Sequence, residues 1–428
     1  MEQQNTKEKE EIEDSRNQTR GEQAIILPLD KDEYKAFIDV NKTKNSRKLL
    51  LDLLEIYPEL FPLGMNAKNW RFYGTRGSAK TDYRVRVIGF ENKYYRLYPC
   101  FLMPYMREYD EAMGNALLLS RYGVPLWLIT KLYGKNVMYW SRVLEWFGEC
   151  SLVGSTVKDG SNLPEHIIVD EKHTKLNGKK HYIATTVGEE VILGAECCSK
   201  ANEDCLTKAY GVFAKEARNI WSKYCPKSYN TDGWDATKKA MKALYSKALH
   251  LLCFLHAFIA VRTGGQKKHR QDFSHAAEMI WDAYRSEMPS EMLRKLAALK
   301  KWAYKLADSK MKDKILKLCA KRKYWIWHYS YEKGHRTSNM LDRLMRQMDR
   351  RIFMMLNFRG GQEKASSFIR AFALILNYAP FAPQTVKKNG GLTSRAHRLN
   401  NKLYHKEWHK NMLIATSLRG FHHFKTNP

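Results

Sequence analysis

The chain has no C-x-x-C pair, no apolar run near the roughly 18 residues of a membrane-spanning helix, and a marked shortage of acids. Each lack excludes something. The eight cysteines (Cys100, Cys150, Cys197, Cys198, Cys205, Cys225, Cys253 and Cys319) lie mostly in apolar or helical stretches. A disulfide framework is not expected in so large and core-rich a chain, so they read as reduced cytosolic thiols. Residues 1–23 are polar and too acidic for a signal or transit peptide, and without apolar periodicity they read as a disordered tail.

What is present is a core and a surplus of positive charge. Hydrophobic residues make up 44% of 428 positions, with 11 Trp, 17 Phe and 24 Tyr, which argues for folded material in two to four domains. Lys and Arg number 73 against 45 Asp and Glu, a net charge of +28. That is far beyond what solubility needs, and it predicts a polyanionic partner. Nucleic acid comes first and a membrane surface second. The charge recurs across several segments, which favours a long bound duplex of DNA and a cytoplasmic, nucleoid-associated protein.

Residues 24–110 read as a helix, with a run at Leu49 to Leu54 closed by Pro58 and Pro62, followed by a β-ribbon from Trp70 to Leu102. In the ribbon Arg71, Arg84 and Arg86 interleave with aromatics, and Glu91-Asn92 marks a turn. The arginines would lie on phosphates, or the aromatics would simply pair across strands. Residues 111–150 read as a helix-turn-helix: one helix from Glu111 to Tyr122, a second from Pro125, a turn at Gly134-Lys135 and a third from Asn136 to Phe147. Val137, Trp140 or Ser141, Val143, Leu144 and Phe147 supply the buried stripe of the third helix. Lys135, Asn136, Tyr139 and Arg142 are then left to face a major groove.

Residues 160–262 switch to strands. Ile167-Ile168-Val169 ends on Asp170, Asn177-Gly178 is a hairpin signal, and strands follow at Tyr182 to Val187 and Val191 to Cys197. An amphipathic helix with Leu206, Tyr210, Phe213, Ala217 and Trp221 on one face leads to a short strand ending at Asp232, followed by Gly233. Ala236, Ala240 and Leu244 recur at helical spacing. The apolar run Leu249 to Ile259 then carries Cys253 and His256 as C-x-x-H. Residues 263–335 are helical and basic, with 18 Lys/Arg against 8 Asp/Glu between Gln266 and Arg336. Residues 336–428 would complete the core and add basic surface, including Arg346 and Arg350.

Thr231-Asp232-Gly233, Thr237, Ala240 and Cys253-Phe254-Leu255-His256 resemble the second-acid region of DDE-type transposases of the Mutator-like bacterial insertion-sequence group. The resemblance implies an α/β fold, a ribonuclease-H-like mixed sheet interrupted by an all-helical insertion and preceded by the ribbon and helix-turn-helix. It implies Asp170 and Asp232 as the first two metal-binding catalytic acids, with Cys253 and His256 in support. The family's third acid is a Glu three residues after Asn. Here that position is Asp342, after Thr337-Ser338-Asn339, with Glu332 as the alternative. Two Mg²⁺ ions, or Mn²⁺ in their place, would be the cofactors. Related proteins often carry a zinc ribbon near the N-terminus, but with Cys100 alone there, no zinc is expected. The implied activity is cutting and joining of insertion-element ends, with inverted-repeat and target DNA as partners and a homodimer or higher oligomer on DNA. The rival expectation is a catalytically inactive, sequence-specific DNA-binding protein descended from such an enzyme.

Overall fold

A computed structural model describes residues 22–39, 43–78, 81–106, 109–265, 269–331, 333–355 and 358–421. Most of the expected disordered tail lies outside these residues, as does Glu332. The chain is a mixed α/β protein with two sheets. Among the described residues no helix is long and apolar enough to cross a membrane.

The N-terminal ribbon is part of a four-stranded sheet. Strands β2 (Trp70–Ser78), β3 (Thr81–Phe90) and β4 (Lys93–Pro99) are antiparallel, and Glu91 and Asn92 both take the positive φ that a two-residue hairpin turn needs. The sequence reading passed over β1 (Ala24–Leu27), a fully buried four-residue strand parallel to β4. Helices α1 (Lys31–Ile38) and α2 (Thr43–Ile56) follow it. Tyr34 on α1 donates its hydroxyl to the carbonyls of Arg84 and Leu97, fixing the helix on the sheet.

Helices α3 (Glu111–Arg121), α4 (Leu126–Tyr133) and α5 (Val137–Gly148) fall where the sequence placed them, except that Pro125 is the N-cap of α4 and not its first residue. They do not form a separate domain. Trp140, Val143, Leu144 and Phe147 of α5 join one apolar cluster with β1, the ribbon and the C-terminal helix Gln362–Tyr378. Val137 is exposed, so the buried stripe of α5 begins at Trp140.

The second sheet has the order β7-β6-β5-β8-β9. Strands β5 (His166–Leu176), β6 (Lys179–Gly188) and β7 (Val191–Cys198) are antiparallel, and β8 (Ser228–Thr231) and β9 (Leu249–Leu252) run parallel to β5. The Asn177-Gly178 turn has positive φ at both residues, as the hairpin signal requires. Along β5, Ile167 and Val169 point to one face, where helices Glu203–Ile220 and Asp235–Leu244 cover them; Ile168 points to the other, with Leu341 and Ile369. This alternation is the pleat of a strand buried on both sides.

Between β9 and residue 335 lie the helices Phe254–Gly265, Arg270–Tyr284, Pro289–Tyr304, Lys310–Ala320 and Arg322–Ile326, which share a core of their own. Its deepest residues include Ala276, Ile280, Met292, Leu296, Leu299, Ala303, Ile315 and Leu318. Ala277, Leu293 and Trp302, which fall at helical spacing with these residues, sit at its margins. The chain then returns to the sheet. Asn230 donates to the His335 carbonyl at 2.7 Å, and the Phe254 N–H to the Arg336 carbonyl at 3.0 Å.

One buried cation ties three layers together. Arg370, on helix Gln362–Tyr378, donates to Glu196 of β7 at 2.6 Å, to Glu216 of helix Glu203–Ile220, and to the carbonyls of Gly148 and Cys150. Every guanidinium nitrogen is used, which is what makes a charge tolerable at that depth. Arg370→Ala leaves two carboxylates without their counter-charge. We expect a loss of about 3–5 kcal/mol in denaturant unfolding, partly restored by adding Glu216→Gln.

A candidate active site at the head of the central sheet

The pleat of β5 decides where its acids go. Asp170 shares the face of Ile168, towards helix Asn339–Met355, while Glu171 shares the face of Val169, towards the helices on the other side. Asp232 leaves the end of β8, the strand parallel to β5 and beside it. Its backbone is held by a tight turn: the Thr231 hydroxyl accepts from the Gly233 N–H at 3.0 Å, and Asp232 Oδ1 accepts from the Trp234 N–H at 2.8 Å. Gly233 has φ +97°, a conformation that a side chain would strain, and a Cβ there would sit 3.0 Å from Leu252.

Asp170 and Asp232 lie within electrostatic range of one another. Burial, then the Asp232 charge, then Glu171, push the Asp170 carboxyl up to about 7; a hydrogen bond from the Glu171 N–H and the nearby His256 only partly oppose them. Asp342 is in the first turn of helix Asn339–Met355, and lines with Asp170 a cleft of about 530 Å³. Arg346 and Asp349 line the same cleft one and two turns further along. Asn339 is the first helical residue. Ser338 precedes it and donates its hydroxyl to Asp342 Oδ2 at 3.0 Å. Asp170 therefore has Asp232 on one side and Asp342 across the cleft. The three carboxylates do not close into a set with all ligand atoms within 4.8 Å; among the described residues only Asp30, Cys100 and His405 do.

Cys253 and His256 stand behind the acids. The Cys253 sulfur accepts from the Ser338 N–H at 3.2 Å, which joins the end of β9 to the start of the Asp342 helix. Burial pushes the Cys253 thiol up, but His256 and Ser338 outweigh it and the thiol ends below its ordinary value. Interaction with the Cys253 sulfur raises the His256 ring, burial opposes it, and the Asp170 and Asp232 charges add to the rise, holding it at about 9. The ring is thus a cation at neutral pH facing two acids. Among the described residues no tetrahedral set of soft ligands forms around this pair.

Three contributors were missed. Glu171 Oε1 accepts from the Tyr210 hydroxyl at 2.6 Å and from Thr237 at 2.7 Å, locking β5 to the two covering helices. The signal was the alternation itself, which sends every second residue after Ile167 inward. Lys321, at the end of the fourth insertion helix, reaches to within 3.8 Å of where a Gly233 Cβ would lie, and burial lowers its amine from the ordinary value. Lys172 pairs with Asp349 across the cleft at 2.8 Å. Nothing local in sequence couples residues so far apart.

The expected DNA contacts divide. Arg71, Arg84, Lys135, Arg142, Arg346 and Arg350 are exposed. Arg86 is not: it is 3% exposed, lies over the rings of Phe37 and Phe72, and donates to the Asp39 carbonyl, so it holds α1 to the sheet and reaches no phosphate. Asn136 is exposed, but its Oδ1 caps α5 by accepting from the Tyr139 N–H at 2.8 Å. Tyr139 is half-buried against Trp140.

The sequence matches no protein-family model and no curated protein.

Two outcomes follow for the metal-free protein. Asp170 is held above the ordinary 3.8, so its charged form costs stability, increasingly from pH 4 and fully above about 7. Asp170→Asn should raise the melting temperature by a few °C at pH 8 and leave it unchanged at pH 4. His250 bonds Thr231 through Nε2 at 2.9 Å, and burial, then Lys238 and Lys321, lower it to about 4. Its contribution is present above pH 6.5 and lost as pH falls from there towards 4, because the unfolded chain takes the proton first. His250→Gln should therefore lose less thermal stability than the parent between pH 7 and pH 5.

Proposed function

We propose that this protein is a DDE-type DNA transposase, in DDD form, which cuts and joins insertion-element ends on a ribonuclease-H-like core. The observation that carries the reading is the placement of Asp170 and Asp232 on adjacent parallel strands in mutual electrostatic range, with Asp342 across a cleft shared with Asp170. The sheet order, three antiparallel strands with two parallel ones added beside the first, and the helical excursion before the third acid both fit it.

The donor set suits two hard cations such as Mg²⁺, with Mn²⁺ as substitute. All three candidates are carboxylates, and Asp170 is held near 7 by burial and, after it, by the Asp232 and Glu171 charges, which a cation would neutralise. Asp170 and Asp342 would hold the ions from the walls of one cleft and Asp232 from the end of β8. Such ions would activate water, and then a DNA 3′-hydroxyl, and stabilise the departing 3′-oxygen. The chain itself supplies positioning. Arg346 projects into the cleft where a strand's phosphate would pass, Glu171 fixes β5, and Cys253 fixes the Asp342 helix. The charge of +28 supplies affinity for the backbone.

A non-catalytic DNA-binding protein is the second reading. The Ser338 bond to Asp342 and the shorter reach of aspartate favour it. The two separate on duplexes carrying the sequences that flank the gene. The transposase reading expects Mg²⁺-dependent nicking, reduced about 10²-fold or more in Asp170→Asn and Asp232→Asn. Binding without nicking in Mg²⁺ or Mn²⁺, with nicking gained in Asp342→Glu, would establish the second.

A further inference from the structure

The helix-turn-helix segment exposes the wrong chemistry for reading bases by hydrogen bonds. The side chains pushed into solvent around its turn are Trp127 (62% exposed), Leu132 (59%), Val137 (45%) and Met138 (57%). Asn136, between the last two pairs, has its carbonyl oxygen committed to capping α5. Trp140, Val143, Leu144 and Phe147 fix α5 in the main core, and Val137 and Met138, in its first turn, stay outside that contact. Exposed Lys131, Lys135 and Arg142 surround this apolar strip, and no acid occurs between Pro125 and Leu144.

We infer, resting on the DNA-binding part of the reading above, that this strip reads the 5-methyl groups of thymines in a major groove, with the three cations on the flanking phosphates. The argument is one of complementarity. The start of a third helix and the turn before it form the part of such a segment that enters the groove. The thymine methyl is the apolar group presented there, and apolar side chains are what recognise it. The single sign of the charge speaks for a polyanion and against a second copy of the chain, because a two-fold contact would set Lys131, Lys135 and Arg142 against their own equivalents.

The test uses full-length protein in EDTA, so that binding is read without cleavage. A duplex is selected from a random-sequence pool, and each thymine in it is then replaced by deoxyuridine, which removes only the methyl. Affinity should fall about fourfold for each contacted methyl, the size expected for one buried CH₂. Restoring the methyl as 5-methyldeoxycytidine in a C·G pair at the same step should recover part of the loss. Met138→Ser and Val137→Ser alter exposed positions, so they should fold like the parent; they should bind thymine and uracil duplexes equally. Equal affinity of the parent for both duplexes would overturn the inference and leave DNA binding intact. Duplexes retained without any sequence preference would overturn the inference alone, and no duplex retained at all would remove the DNA reading with it. A DNA-free oligomer that Met138→Ser and Trp127→Ser convert to monomer would assign the strip to a contact between copies, and would also overturn it.

Discussion

The constraint that organises the molecule is the burial of Asp170 beside a second acid, Asp232. Burial raises the cost of ionising Asp170, the Asp232 and Glu171 charges add to it, and the Glu171 N–H and His256 repay it only in part. The scaffold carries the remainder. β5 and β8 are bonded neighbours covered on both faces, and the Thr231–Gly233 turn leaves Asp232 little freedom to swing away. His256 supplies a nearby cation, yet it does not bring Asp170 back to the ordinary range. A fold that retains unfavourable charge at the head of this sheet gives up stability there, in the direction that stability and function usually trade.

The rest of the architecture can be read from that need. Once β5 is buried on both faces, successive residues must serve opposite layers, and Asp170 and Glu171 divide the work: one faces the cleft, the other anchors the helices behind it. The helical insertion would otherwise set the third acid adrift. It comes back because the 335–338 segment bonds to the ends of β8 and β9, with the Cys253 sulfur taking the N–H of the residue just before the Asp342 helix. The C-x-x-H pair is thus a stitch between the second and third acids as well as a local charge. Arg370 does for the far end of the sheet what this stitch does for the near end.

Much of this was legible in the sequence. Where a signal is local, such as the Asn177-Gly178 turn, the Glu91-Asn92 turn, or the apolar stripe of Leu206 to Ala217, the structure places elements where the sequence put them; Trp221, expected on that stripe, is instead exposed, because the helix ends at Ile220. The order of strands around Asp170 and Asp232 followed from the same signals. What stayed hidden depends on distant partners. Arg86 looks like any arginine in a basic strand, and only the arrival of Phe37 from α1 turns it into a core residue. The four residues of β1 are too few to show a period, and they become a strand because β4 offers an open edge. The long-range packing of the helix-turn-helix stayed hidden for a related reason: it reads as a unit along the chain, yet its third helix completes its packing on a helix more than 200 residues later.

The cluster of Asp30, Cys100 and His405 shows why proximity of ligand types is weaker evidence than the hydrogen bonds around them. Their ligand atoms fall within 4.8 Å of one another, as a metal site would require. But His405 Nδ1 accepts from the Glu407 N–H at 2.9 Å, which leaves the ring proton on Nε2, the nitrogen that faces Asp30. Lys410 occupies the same Asp30 oxygen at 3.2 Å, and burial pushes the Cys100 thiol up to about 12. A cation would have to displace a proton, an ammonium and a thiol hydrogen together. At Asp170 the balance is reversed: the acids repel, the nearest bonds leave oxygens open to the cleft, and added positive charge would relieve the fold. The contrast rests on which groups are already satisfied, and by that measure the acids at the head of the central sheet suit a cation better than the cluster of Asp30, Cys100 and His405 does.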